Sequence, residues 1–105
     1  MPVDEIRPRE LQELLARGEV TLLDIREPWE AEICSIGGGA LVPMRSLPHR
    51  LQEIPREKPV ALYCHHGMRS MMAARFLAEH GFNALSLAGG IARWADEIEP
   101  AMARY

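Results

Sequence analysis

The residues best suited to do chemistry lie in one short segment, Cys64 to Ser70, which reads CHHGMRS. An apolar run at 59–63 precedes it, and a helical pattern follows. A cysteine placed between a strand and a helix start faces backbone N–H groups that have no partner within the helix, and the helix dipole adds positive charge. We therefore expect Cys64 to act as a thiolate nucleophile that faces a ring of backbone N–H groups.

Other residues of this segment fit the same chemistry. Arg69 adds a full positive charge, and Gly67 gives the backbone the freedom to turn its amides inward. Ser70 is the expected N-cap of the next helix. His65 and His66 are adjacent, so we expect their side chains to diverge on the loop surface, with a contact to substrate as the alternative. Together these residues indicate a site for a small anion or a persulfide.

Composition narrows the class of protein. The chain has 105 residues, 48% of them hydrophobic and 26% charged, which is typical of one soluble globular domain. The net charge is −3 and no basic run occurs, which argues against nucleic-acid binding. We expect a cytoplasmic protein, because we find neither a signal peptide nor a membrane span. In such a protein we expect no structural disulfide between Cys34 and Cys64. Without CxxC spacing or a matching His/Cys pair they also make a poor metal site, and no cofactor is implied.

Strand and helix patterns alternate along the chain. A helical pattern begins at Pro8 and is closed by Gly18, and Gly81 closes a second one. The expected strands are short and apolar, at 20–25, 40–42, 59–63 and 84–87. The expected helices separate them, at 8–17, from 27, at 47–54, at 71–80 and at 91–98. This alternation favours an α/β fold whose parallel sheet is covered on both faces, with the ligand site beyond the carboxyl ends of the strands.

Three blocks of the sequence resemble the rhodanese family. Residues 64–70 resemble its C-x-x-G-x-R-S active loop, and residues 22–30 are similar to its L-L-D-V-R-E-P-x-E segment. Residues 81–94 match its G-F-x-x-V-x-x-L-x-G-G-x-x-x-W ending. The resemblance implies one rhodanese-like domain over 1–105, with its core at about 6–98. It implies a three-layer fold, with a mainly parallel sheet of about five strands between helices.

One block departs from the family pattern. At 34–43, Cys34, Ser35 and Leu41 stand where the family usually has Gly, His and Asn, although the length is kept. The resemblance places Cys34 in a turn, and a role as a resolving thiol stays open. Trp29 and Trp94, which lie in the matching blocks, are expected to be packing residues.

The resemblance implies a specific chemistry. Cys64 would take the sulfane sulfur of thiosulfate or a persulfide and pass it to a thiol such as glutathione or thioredoxin, or to cyanide, in a ping-pong reaction. Asp24 and Arg26 would be a supporting pair, either bracing the loop or touching substrate. The implied substrate-binding residues share the active loop: His65, His66, Gly67, Met68, Arg69 and Ser70.

Two other functions stay open. Cysteine phosphatases and arsenate reductases of related fold need the spacing C-x5-R, whereas four residues separate Cys64 from Arg69 here. A loop shorter by one residue suits a sulfur atom better than a phosphate. Non-catalytic rhodanese-like binding modules usually lose the loop cysteine, which this chain keeps.

Overall fold

Five short strands, most of them rich in Leu, Val and Ala, form a parallel sheet. The computed structural model describes residues 3–105. The sheet order is β1-β5-β4-β2-β3, with every neighbouring pair parallel. The strands are β1 Asp4–Ile6, β2 Thr21–Asp24, β3 Gly39–Leu41, β4 Val60–Tyr63 and β5 Ala84–Leu87.

Helices cover both faces of this sheet. They are α1 Pro8–Arg17, α2 Pro28–Ile33, α3 Met68–Glu79 and α4 Gly90–Glu97, with 3₁₀-helices at Met44–His49 and Leu51–Glu53. In the central strand β4, Leu62 packs in the core cluster that includes Leu77 of α3, while Tyr63 packs in the one that includes Trp94 of α4. This alternation of side chains gives the three layers expected from the sequence. Within residues 3–105 no helix is both long enough and apolar enough to span a membrane.

The sequence patterns failed at two elements. Strand β1 was not expected, because only Ile6 of its three residues is buried and so it shows no apolar pattern. It nevertheless supplies an edge of the sheet by pairing with β5. The α-helix expected at 47–54 does not form, and two 3₁₀-helices, Met44–His49 and Leu51–Glu53, lie there instead. Pro48 lies inside the first of them, and its missing N–H and its ring are incompatible with a continuous α-helix.

Helix α3 begins earlier than expected, and Ser70 is not its N-cap. Gly67 occupies that position, with a φ of 112°, so Ser70 lies inside the first turn. The reason is that a side-chain acceptor is already present: Cys64 Sγ accepts the N–H of Ser70, the bond that a capping side chain normally makes. Helix and cysteine are therefore fixed by the same contact.

A buried arginine joins the end of β2 to three other segments. Arg26 has 0% of its surface exposed. Its Nε and Nη2 donate to the two carboxylate oxygens of Asp24, at 2.8 and 2.7 Å. The remaining donors reach the carbonyl of Cys34, the carbonyl of Glu30 and the hydroxyl of Tyr105. All five guanidinium N–H donors can thus be used within the protein, none being left for a substrate.

Gly90, at the start of α4, lies against the backbone that leaves β4. A Cβ at Gly90 would stand 2.3 Å from the carbonyl oxygen of His65 and 2.7 Å from that of Cys64. Backbone atoms cannot move aside as a flexible side chain can. Only glycine therefore allows α4 and the segment after β4 to approach this closely.

Gly90→Ala should destabilise the fold far more than Gly18→Ala. Both residues have positive φ, 62° and 66°, but a Cβ at Gly18 meets nothing within 4 Å. The control should cost about 1 kcal/mol of unfolding free energy, and Gly90→Ala at least about 2 kcal/mol more, because it adds a clash to the same backbone strain. Urea denaturation measures both values. Equal losses would show that the close approach at Gly90 does not matter.

Arg26→Lys should lower the unfolding free energy by about 3–5 kcal/mol, because one ammonium cannot replace five planar donors and leaves buried acceptors unpaired. The matched control is Arg45→Lys, since Arg45 pairs with Glu27 at an exposed position. Its expected loss is below about 1 kcal/mol. Denaturation curves for the two variants that coincide would contradict the role assigned to Arg26.

Candidate active site

The sulfur of Cys64 accepts hydrogen bonds from the start of α3. Its Sγ lies 3.1 Å from the backbone N of Gly67 and 3.4 Å from that of Ser70. The N–H groups of the first helical turn have no acceptor within the helix, and the helix dipole adds positive charge there. Cys64 itself is only 1% exposed. The arrangement thus surrounds with hydrogen-bond donors a sulfur that only a narrow group can reach.

Two buried hydroxyls continue from this sulfur into the core. The Oγ of Ser70 lies 3.5 Å from Cys64 Sγ and 2.7 Å from the Oγ of Ser86 on β5. Both serines are fully buried. The hydroxyl of Ser70 donates to the carbonyl of Gly67, 3.1 Å away, and accepts from the thiol of Cys64. The pair thus gives the sulfur of Cys64 a polar neighbour inside the core.

A second helix fixes the orientation of the loop peptides. At the start of α4, Ile91 N–H donates to the carbonyl of Cys64 at 2.9 Å, and Ala92 N–H to that of His65 at 3.1 Å. In a trans peptide the N–H points opposite to the carbonyl. Since both carbonyls are held toward α4, the N–H groups of His65 and His66 are turned away from it.

Arg69 is paired rather than free. Its Nη1 and Nη2 donate to the two carboxylate oxygens of Glu30 on α2, each at 2.8 Å. The hydrogen bonds from Arg69 lower the pKa of Glu30, and those to Glu30 raise the pKa of Arg69. Both groups are therefore charged at neutral pH. The positive charge that the sequence assigned to the loop is present, but a carboxylate lies directly against it.

The two loop histidines do not diverge, so that expectation was wrong. Their rings stack with centroids 4.0 Å apart, and the ring of Tyr105 stacks on His65 at 3.9 Å. Tyr105 thus gives the first ring a packing surface that a free loop would lack. Burial, and then the neighbouring His66, lower the pKa of His65, which favours its neutral form.

Tyr105 also joins the loop to the arginine network. Its hydroxyl donates to Glu30 at 2.8 Å and accepts from Arg26 at 3.0 Å. Burial raises the pKa of Tyr105 to about 12, so the hydroxyl keeps its proton. Trp29 meets the same ring edge-on and is 58% exposed, so it packs on Tyr105 without belonging to the core. Trp94, by contrast, is buried as expected.

Asp24 and Arg26 lie beneath the site as a brace. Asp24 accepts from Arg26 on both oxygens and from the hydroxyl of Tyr63 at 3.0 Å. Burial raises the pKa of Tyr63 to about 12, so it too remains a donor. These bonds fix the ends of β2 and β4 side by side. Of the two roles left open for the pair, this geometry supports bracing.

Cys34 follows α2 and lies apart from Cys64. Its side chain packs against the core cluster containing Tyr63 and Trp94, whereas Cys64 belongs to the cluster on the other face of the sheet. Both cysteines are free thiols. Cys34 instead lines a cavity of about 120 Å³, together with His65, His66 and Tyr105. The positions give no support to Cys34 as a resolving thiol.

Three residues of the site were missed from the sequence. Glu30 lies in a block with a recognisable pattern, but nothing marked it as the partner of Arg69. Ser86 carries a signal, since it is a polar residue inside an apolar strand. Tyr105 carries none. Within residues 3–105, no three His, Cys, Asp or Glu side chains are grouped so that they could hold a metal ion.

A family model described as "Rhodanese-like domain" matches residues 7–97. A protein of Allochromatium vinosum named "Sulfurtransferase" is 39% identical over 103 residues, covering 96% of each chain. A protein of Mycobacterium tuberculosis named "Probable adenylyltransferase/sulfurtransferase MoeZ" is 38% identical over 105 residues, 95% of this chain. This chain spans only 26% of that longer relative.

The solved structures agree with this likeness. The crystal structure of a rhodanese-related protein from Thermoplasma volcanium superposes with a TM-score of 0.85 at 34% identity. The match covers 92% of this chain and 95% of the other. The family model covers the chain from α1 to α4, with the loop and strands β2 to β5 between them. The chain therefore belongs to the rhodanese-like domain family.

Proposed function

We propose that this chain is a sulfurtransferase that carries sulfur as a persulfide on Cys64. The observation that supports this most directly is the set of donors on one sulfur: the amides of Gly67 and Ser70 both reach Cys64 Sγ. Donors so placed favour a sulfur anion, either the attacking thiolate or the persulfide formed from it. The family, in which a related protein is named a sulfurtransferase, supports the same reading.

In the first step the Cys64 thiolate attacks the outer sulfur of the donor. With thiosulfate, an S–S bond to Cys64 forms while the bond between the two sulfurs of thiosulfate breaks, and sulfite leaves with the electron pair. With an organic persulfide, the leaving group is the thiolate. The low exposure of Cys64 fits a donor whose reacting end is a single sulfur atom.

In the second step an acceptor thiolate attacks the outer sulfur of the persulfide. The new S–S bond forms on the acceptor, and Cys64 leaves as a thiolate, ready for another cycle. Glutathione and thioredoxin are acceptors of suitable chemistry, and cyanide serves as an acceptor in assays. The loop residues 65–70 hold the anionic sulfur through their amides, while Asp24 and Arg26 brace the strand ends beneath them.

The geometry counts against phosphatase chemistry. A phosphatase arginine must aim a pair of its donors at the phosphate in the loop, but the paired N–H groups of Nη1 and Nη2 of Arg69 point at Glu30. The geometry does not argue against a non-catalytic binding module in the same way, because such a module differs from a sulfurtransferase only in whether Cys64 reacts. Sulfur loading distinguishes the two directly.

Incubation of the reduced protein with thiosulfate or glutathione persulfide should add the mass of about one sulfur atom. Thiol treatment should remove it, and Cys64→Ser should not gain it. Cys34→Ser is the matched control and should load like the wild type, because Cys34 packs on the other face of the sheet. Intact mass spectrometry reads all four results. A protein that never loads, while Cys64 still alkylates, would be a binding module instead.

Hydrolysis of para-nitrophenyl phosphate by the wild type should not exceed that by Cys64→Ser. The four-residue spacing and the pairing of Arg69 with Glu30 leave no cationic cradle for a tetrahedral phosphate. Release of nitrophenolate is followed by absorbance over several hours at high enzyme concentration. Turnover that depends on Cys64 would refute this prediction and favour the phosphatase alternative.

A further inference from the structure

The carboxylate of Glu30 is placed as a permanent counter-charge to the active loop. Its side chain is 5% exposed, although it belongs to a short surface helix, while that of Arg69 is 36% exposed. One oxygen accepts from Arg69 alone, and the other accepts from both Arg69 and Tyr105. Three hydrogen bonds thus fix a carboxylate whose cationic bonding partner, among residues 3–105, is the arginine of the loop.

This pairing changes the charge that an incoming donor meets. Arg69 is the one Lys or Arg between Cys64 and Ser70. Because Glu30 stays ionised, the pair adds no net charge, and the neutral form favoured at His65 adds none either. Attraction for an anion then depends mainly on the amides and the α3 dipole, which suit a single charge on one sulfur. A dianion would also meet the field of the carboxylate.

We propose that Glu30 determines the donor class of this site, favouring organic persulfides over thiosulfate. The inference rests on the proposed sulfur transfer to Cys64 and adds to it a choice between donors. Thiosulfate carries two negative charges on a small body that must come close to the loop, and it expels sulfite, also a dianion. The reacting sulfur of an organic persulfide carries at most one negative charge, and the group that the persulfide expels is a thiolate. The charge of Glu30 therefore raises the energy of an approaching thiosulfate more than that of an approaching organic persulfide.

Both reactions balance without any further reagent. Thiosulfate and the Cys64 thiolate give the Cys64 persulfide anion and sulfite, and the total charge is −3 on each side of the reaction. A protonated persulfide and the same thiolate give a protonated Cys64 persulfide and a free thiolate. Only the first reaction brings a dianion into the loop, so a change at Glu30 should separate the two.

The test compares second-order rate constants for sulfur loading of Cys64 from thiosulfate and from glutathione persulfide. The wild type should load faster from glutathione persulfide. Glu30→Gln should raise the thiosulfate rate constant relative to that for the persulfide by about tenfold, the size expected when one unit charge near a dianion is removed in a water-like dielectric. Quenched samples read by intact mass give both constants without any acceptor.

Salt dependence and a second variant show whether the effect of Glu30→Gln on the rate constants comes from the lost charge or from a change in structure. The relative gain in Glu30→Gln should shrink as NaCl rises toward about 1 M, since salt screens a charge effect. Tyr105→Phe removes a hydrogen bond to the same carboxylate but leaves its charge, so it should change both rate constants by the same factor. Melting curves show whether each variant is folded at the assay temperature.

The outcomes distinguish this inference from the function on which it rests. Loading of the wild type from neither donor would overturn the sulfurtransferase proposal itself. Two results would overturn only the role of Glu30 when the wild type loads from both donors. In one, Glu30→Gln changes the two rate constants equally, and in the other its relative gain does not depend on the salt concentration. A wild type that prefers thiosulfate would do the same.

Discussion

The buried ion pair between Asp24 and Arg26 is the interaction on which the site depends. A charge taken out of water is costly unless each of its hydrogen-bonding groups finds a partner, and Arg26 meets this condition with five acceptors. Those acceptors come from the end of β2, from α2, from the turn after it and from Tyr105. Removal of any one segment would leave a buried donor unpaired. The pair therefore holds segments together that the apolar core alone would leave free to shift.

This bracing explains why a small fold can hold one sulfur atom so closely. The amides around Cys64 come from the start of α3, while the start of α4 binds the carbonyls of the same loop. Two helix starts thus supply donors to one loop, α3 to its sulfur and α4 to its backbone. Glu30 joins the Arg26 brace to the loop, since its backbone carbonyl accepts from Arg26 and its side chain accepts from Arg69.

The sequence predicted the parts of this site that local pattern controls. The apolar run before Cys64 placed the cysteine at the carboxyl end of a central strand, because a buried strand needs such a run and the following helix has its own pattern. Contacts between distant residues left no comparable trace. Glu30 and Arg69 are 39 positions apart, and Tyr105 is 75 positions from Glu30, so neither pairing follows from spacing. Ser70 was misassigned for a related reason: the cap of α3 is a sulfur from outside the helix.

The contact between α4 and the loop has a consequence for how the protein is made. A ribosome synthesises Cys64 well before Ile91 and Ala92, whose amides hold the carbonyls of Cys64 and His65. Until those later residues have left the exit tunnel and joined the sheet, the loop peptides have nothing to fix their orientation. During that interval the carbonyls of Cys64 and His65 lack the partners that orient their peptides in the finished fold. Assembly of the loop around Cys64 is thereby coupled to completion of the fold.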